Sequence, residues 1–278
     1  MNNTILLNLH LSCLLACALS LSAQPGSSAP LPWAVGINAG TGLVQGDVAP
    51  LLPGVAGGVF VQKGIYQVLD MRIDLLAGQF TGIDTDPSSS FRFNAALNGQ
   101  NNPQHFYDSA MQVFHNYRMN FFQLTLVPKI NLNRMVRDRG SEEWGLYVAP
   151  GLGFLFYRTD IDVFDDRTGT IYDYATIAAG DDARSALLSL LDGTYDTPAE
   201  RDLLNSTQVG NFTLLTPLVL QAGFRYRLSE TLALSLDLRY LFTADDLLDG
   251  QQWGPDDQLS AGTDKVFFGG LGFDYTFR

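Results

Sequence analysis

Three observations predict an all-β fold, a closed antiparallel up-and-down β-barrel of about eight strands with long loops at one end. The first is side-chain alternation, clearest over Phe212–Thr243. There Leu214, Leu218, Leu220, Ala222, Phe224 and Tyr226 share one face, and Thr213, Val219, Gln221, Gly223, Arg225 and Arg227 the other. After Ser229-Glu230-Thr231 the period of two resumes, with Leu232, Leu234, Leu236, Leu238, Tyr240 and Phe242 opposite Ala233, Ser235, Asp237, Arg239 and Thr243. Such a period belongs to strands, whose successive side chains point to opposite faces. The second is the parity of the connections: brief turns follow strands two, four and six, and long loops follow strands three, five and seven. The third is that the apolar face of each strand carries essentially no charge.

The strands follow in order. Trp33–Leu43 sets Trp33, Val35, Ile37 and Ala39 against Ala34, Gly36, Asn38 and Gly40, and Gly46–Pro53 reads as a loop. Val55–Gln62 sets Val55, Val59 and Val61 against Ala56, Gly58 and Phe60. In Leu69–Phe80, Met71, Ile73, Leu75 and Ala77 oppose Asp70, Arg72, Asp74 and Gly78. Residues 82–117 lose all periodicity and form a long loop. Met119–Asn133 opposes Phe122, Leu124, Leu126 and Ile130 to Gln123, Thr125, Lys129 and Asn131, and Trp144–Tyr157 opposes Leu146, Val148, Leu152 and Phe154 to Tyr147, Ala149, Gly151 and Gly153. Within the second long loop, about 160–210, a helical run Ala183–Asp192 stops at Gly193. Thr197-Pro198-Ala199-Glu200 is a capping box that predicts a second short helix to about Asn205. The leucines of these helices, Leu187, Leu190, Leu191, Leu203 and Leu204, are expected to pack the two together. An acidic loop, Ala244–Thr263, precedes the last strand, Lys265–Arg278.

Alternation alone leaves two orientations open. A soluble sandwich or lipocalin-like carrier would turn its leucines inward, and a membrane barrel would turn them to lipid. Parity favours the membrane, because a soluble sandwich has no reason to sort its loops. The polar face carries Asp70, Asp74, Asp237 and Asp274 with Arg72, Lys129, Arg225, Arg227 and Arg239, nearly balanced in a chain of net charge -12. Such a set suits a narrow lumen, where unpaired charge would be costly. Trp33, Trp144, Tyr226, Tyr275 and Phe277 fall on the apolar face near the short-turn end, as one aromatic girdle.

The acidic balance argues against a nucleic-acid partner, which needs basic stripes. Residues 1–23 read as a secretory signal peptide ending at Leu21-Ser22-Ala23, and 24–278 as the barrel. A second cleavage reading, Leu14-Leu15-Ala16-Cys17, would lipidate Cys17. Both cysteines, Cys13 and Cys17, lie in this leader, so the barrel has no thiol for disulfides, catalysis or metal. No cofactor is expected. His105 and His115 lie in the first long loop near Tyr107, Asp108 and Ser109, a set that reads as polar surface rather than hydrolase. The clusters Asp160/Asp162/Asp165/Asp166 and Asp245/Asp246/Asp249 are candidates for divalent cations, although no spacing matches a defined calcium loop.

Gly272-Phe273-Asp274-Tyr275-Thr276-Phe277 resembles the terminal assembly signal of Gram-negative outer-membrane barrels, a glycine followed by two aromatics spaced by one. Arg278 beyond it is a small departure. Trp33–Arg278, and Arg225–Asp249 in particular, resembles the porin-like, OmpA-type outer-membrane barrels. The resemblance implies export to the outer membrane, Gly272, Tyr275 and Phe277 as the assembly signal, and the barrel-assembly machinery, outer-membrane lipids and lipopolysaccharide as partners. The larger members of that family carry a peptidoglycan-binding domain after the barrel, and that anchoring role is not expected here. The expected role is structural, surface-interacting or accessory to a membrane complex, around a narrow, charged, closed lumen. A small passive pore and a lipid-modifying surface enzyme are the alternatives.

Overall fold

The structure is a computed structural model that describes residues 32–98, 107, 112–135, 143–180, 182–202, 206–253, 258–260 and 262–277. The leader, His105, Asp108, Ser109, Leu203, Leu204 and Arg278 lie outside them. Eight strands form a closed antiparallel barrel: β1 (Trp33–Gln45), β2 (Pro50–Gly64), β3 (Leu69–Ile83), β4 (Asn116–Asn131), β5 (Trp144–Ile161), β6 (Phe212–Leu215 and Leu218–Arg227), β7 (Leu232–Phe242) and β8 (Lys265–Phe277). Each strand pairs with its sequence neighbours. The ring closes where β1 meets β8, from Trp33↔Phe277 to Gln45↔Lys265.

Closure is what lets strands cross lipid, since every ladder N–H and C=O then has a partner. β6 shows how closely this is held. Pro217 cannot donate to the ladder, so the strand is notched at Thr216-Pro217. Its register against β5 is unchanged across the notch, Leu215↔Leu155 and then Leu218↔Leu152, with Gly153 N donating to Pro217 O at 3.1 Å.

The short-turn end is built locally. Ile65 N and Tyr66 N donate to Leu69 O, and Ser229 Oγ accepts from Thr231 N and Leu232 N. The other end carries the loops at 84–115, 162–211 and 243–264 and the tight turn at 46–49. Strands reach further toward it than the alternation suggested: β2 begins at Pro50, inside the expected loop, and β5 runs to Ile161.

One helix, α1 (Ala183–Leu190), forms where expected, and Gly193 at φ +76° follows it. The capping-box helix does not form over its described residues. Thr197–Pro198 instead pairs with Asp160 and Ile161 of β5, and Ala199 N donates to Thr159 O at 3.0 Å. A few tenths of a kcal/mol of local propensity yields here to tertiary strand pairing. Leu187, Leu190 and Leu191 accordingly pack on the loop core rather than on a second helix.

The outer face settles the orientation. Ile37, Leu126, Leu220, Leu236 and Leu271 stand exposed around the ring, and the outward charges Lys63, Arg118, Arg158 and Lys265 lie near strand ends. Among the described residues no helix is long and apolar enough to span a membrane; the apolar outer belt of the strands is the surface that a lipid-facing ring requires. The girdle of Trp33, Trp144, Tyr226, Tyr275 and Phe277 is exposed at the short-turn end. Leu236 lies midway along β7 and is 47% exposed. Leu236→Arg should lower the folding free energy in lipid vesicles by ~2–4 kcal/mol in a urea titration, the cost of a cation at the bilayer midplane.

Candidate functional site

The barrel interior is layered. Nearest the short turns, Asp70 accepts from Gln62 Nε2 (2.9 Å) and Asn131 Nδ2 (2.8 Å). Lys129 Nζ donates to Gln62 Oε1 at 3.1 Å and sits 4.1 Å from the Tyr147 ring centroid. Arg225 grips Asp274 with two nitrogens, at 3.1 and 2.6 Å. Arg227 lines the mouth with Arg134, without an ion pair among the described residues.

The middle layer is a fully buried network. Asp74 lies between two guanidiniums, Arg72 at 2.6 Å and Arg239 at 3.0 Å. Arg72 also reaches Asp237 (3.4 Å) and stacks over Phe60 at 3.7 Å. Arg239 donates to Gln123 Oε1 at 3.4 Å. Two acids thus meet two bases where the side chains of Arg72 and Asp74 are 1% and 0% exposed. Small residues opposite give these groups room. A Cβ on Gly36 would overlap the Phe60 ring, and one on Gly223 would overlap Tyr147.

Above the ions the lumen is apolar. Leu76, Phe80, Phe121, Leu155, Val219, Leu241 and Phe268 fill it, and the Phe80 and Phe121 rings pack tilted by 40° with centroids 4.8 Å apart. This layer continues into the loops through Phe91, Val113, Phe114 and Leu187, so barrel and cap share one core. The half of the interior toward the short turns is thus polar and charged, and the half toward the loops is apolar. Aromatic and leucine side chains at inward positions of β3, β4 and β8 carried the signal for the other half.

The cap is tied by carboxylates. Asp162 accepts from Gly193 N (2.7 Å) and Tyr172 Oη (3.0 Å), and burial raises its pKa to about 6. Asp160 pairs with Arg158, Asp165 with Arg167, and Asp245 accepts from Tyr157 Oη. Among the described residues no three His, Asp or Glu side chains converge to hold a metal ion. His115 is buried beside Ser90 Oγ (3.4 Å) and Gln251 Nε2 (3.1 Å), and burial lowers its pKa to about 4. A neutral histidine next to a serine is a nucleophile–base pairing in outline. The space around it is about 10 Å³, too small to admit a substrate, and the pair serves to join the 84–115 and 243–264 loops.

A closed barrel with a lipid-facing belt and loops sorted to one end is the construction of bacterial outer-membrane proteins. The chain matches no protein-family model and no curated protein. Its structure is similar to that of the outer membrane protein OprG from Pseudomonas aeruginosa, at 10% identity over 91% of this chain and 98% of that chain, with a TM-score of 0.42. It is similar also to Ail, the attachment invasion locus protein of Yersinia pestis (11%, 90% and 100%, 0.40), and to Neisserial surface protein A (9%, 88% and 97%, 0.41). At these identities and TM-scores the likenesses carry no argument, and the barrel stands on its own strand pairings.

Asp74 is the pivot of the middle layer. Asp74→Ala leaves two buried guanidiniums facing one remaining carboxylate and should cost ~3–5 kcal/mol in a urea titration of the vesicle-folded protein. Arg225→Ala, nearer the mouth, should cost clearly less in the same titration.

Proposed function

We propose that this protein is a non-enzymatic outer-membrane barrel with a sealed lumen, acting through its loop end in a structural, surface-interaction or complex-accessory role. The observation that carries this reading is the interior filling: an apolar layer from Leu76 to Phe268 stacked on the Arg72–Asp74–Arg239–Asp237 network. An eight-stranded ring is just wide enough for side chains to fill, so these layers leave no continuous aqueous path. Activity then belongs to the large loops, whose common core gives them a fixed shape. Outer-membrane lipids and lipopolysaccharide are the surroundings proposed for the belt and loops.

The terminal Gly272, Tyr275 and Phe277 serve in this reading as the signal to the barrel-assembly machinery. Tyr275 and Phe277 face outward and pack edge to face at 5.1 Å. Phe277→Ala should lower the folded fraction recovered from cell envelopes while leaving refolding in detergent intact.

A pore is the second reading, and one observation favours it. Asn38, Gln221 and Asp237 Oδ1 keep hydrogen-bonding capacity without a protein partner beside the ion network, so the lower lumen is polar enough to hold water. Single-channel recording across a planar bilayer separates the two. The sealed barrel should show no steady openings at low or high salt, and Arg239→Ala alone should not create them, because the apolar layer remains. Steady wild-type openings would overturn the sealed reading in favour of the pore.

A further inference from the structure

Two carboxyl groups meet in the cap without a cation. Asp249 and Asp264 are 1% and 0% exposed. Both press on the same backbone position: a Cβ on Gly46 would collide with Asp264 Oδ1 and with Asp249 Oδ2. Only a glycine in the 46–49 turn lets the two acids come together there.

Their remaining contacts are backbone N–H groups. Asp249 accepts from Val48 N (2.8 Å) and Gln251 N (3.1 Å), and Asp264 accepts from Leu248 N (2.7 Å) and Asp249 N (3.3 Å). The pair therefore sews the 243–264 loop to itself and to the 46–49 turn. Asp264 Oδ1 has no hydrogen-bond partner. The titratable groups around the pair are Asp47 from the turn, Asp245 and Asp246 from the same loop, His115 and Tyr117 around the start of β4, and Tyr157 of β5, with Asp84 beyond Tyr117. None is a cation at neutral pH, since burial keeps His115 uncharged. Two buried carboxylates side by side, unrelieved by a base, cannot both stay ionised cheaply.

We infer that Asp249 and Asp264 form a proton-holding carboxyl pair that latches the 243–264 loop to the 46–49 turn, closing the cap while the pair keeps its proton and loosening it when both groups ionise. The inference goes beyond the sealed-lumen reading, because it concerns the shape of the loops and not conduction. The direction of the pH dependence follows from the shifts. Burial and then the facing Asp264 raise Asp249 well above the usual carboxylate range, and burial with nearby acids raises Asp264 to about 8. The latched state thus holds more protons than the opened one, whose carboxyls titrate near ~3.9. The latch is firmest in acid and weakens as pH rises from about 4 toward about 8.

The test is amide hydrogen exchange on the full chain folded in detergent micelles, from about pH 5 to about pH 9. Each rate is divided by its intrinsic value, and the amides of Val48, Leu248, Asp249 and Gln251 are followed. Wild-type protection at these four should fall by up to about tenfold per pH unit as the pair ionises, while Val59 and Leu236 in the barrel stay protected. Asp264→Asn should flatten the dependence. Asp249→Asn should do the same, and it decides the matter if the first variant does not fold. Flat wild-type protection, or a wild-type slope retained in a folded Asn variant, would overturn the latch.

Discussion

Hydrocarbon offers no hydrogen bonds, and that single fact governs this molecule. A strand in lipid must have both edges paired, so the chain is viable only as a ring, and the ring is viable only if β1 finds β8 across the whole sequence. The pairing Trp33↔Phe277 joins residues from opposite ends of the described chain. Much else is a consequence of closure: the even strand count, the alternation, and the sorting of short turns to one end. The constraint also explains the tolerance of Pro217, whose missing donor is confined to one notch while the register on either side is kept.

Closure creates an interior, and an interior this narrow must be filled. Two kinds of filling meet at mid-height. Toward the short turns, charges are admitted where they are answered: Asp74 by two guanidiniums, Asp70 by two amides, Arg225 by Asp274. Toward the loops, phenylalanine and leucine side chains are packed and buried. The glycines are the complement of this filling. Gly36 and Gly223 are where the ring concedes side-chain volume so that Phe60 and Tyr147 can enter.

The apolar half of the lumen does not stop at the rim. It runs into the loops, so the cap is an extension of the barrel core rather than a set of independent segments. Carboxylates then fasten it, mostly by accepting backbone N–H groups, which turns the acidic excess of the sequence into loop structure. Asp249 and Asp264 are the exception in kind, because they are packed against each other.

The barrel was legible in the sequence because lipid and lumen impose a period of two on every strand, and Leu232 to Phe242 records it almost without error. The inward set Asp70, Arg72, Asp74, Lys129, Arg225, Arg227, Asp237, Arg239 and Asp274 followed from the same period. Pairing partners did not, since Asp74 and Arg239 are separated by 165 positions and alternation carries no information about which strands touch. Nor did the capping box at Thr197 foretell its fate: local propensity cannot see that β5 offers a partner at Asp160 and Ile161. The sequence by itself determined that this chain forms strands, which faces they present, and which end holds the loops, because those are properties of neighbouring residues. Only the tertiary structure decided that an apolar layer fills the loop-side half of the lumen, that His115 is a buried tie and that two acids share one glycine, because these depend on distances between segments remote in the chain.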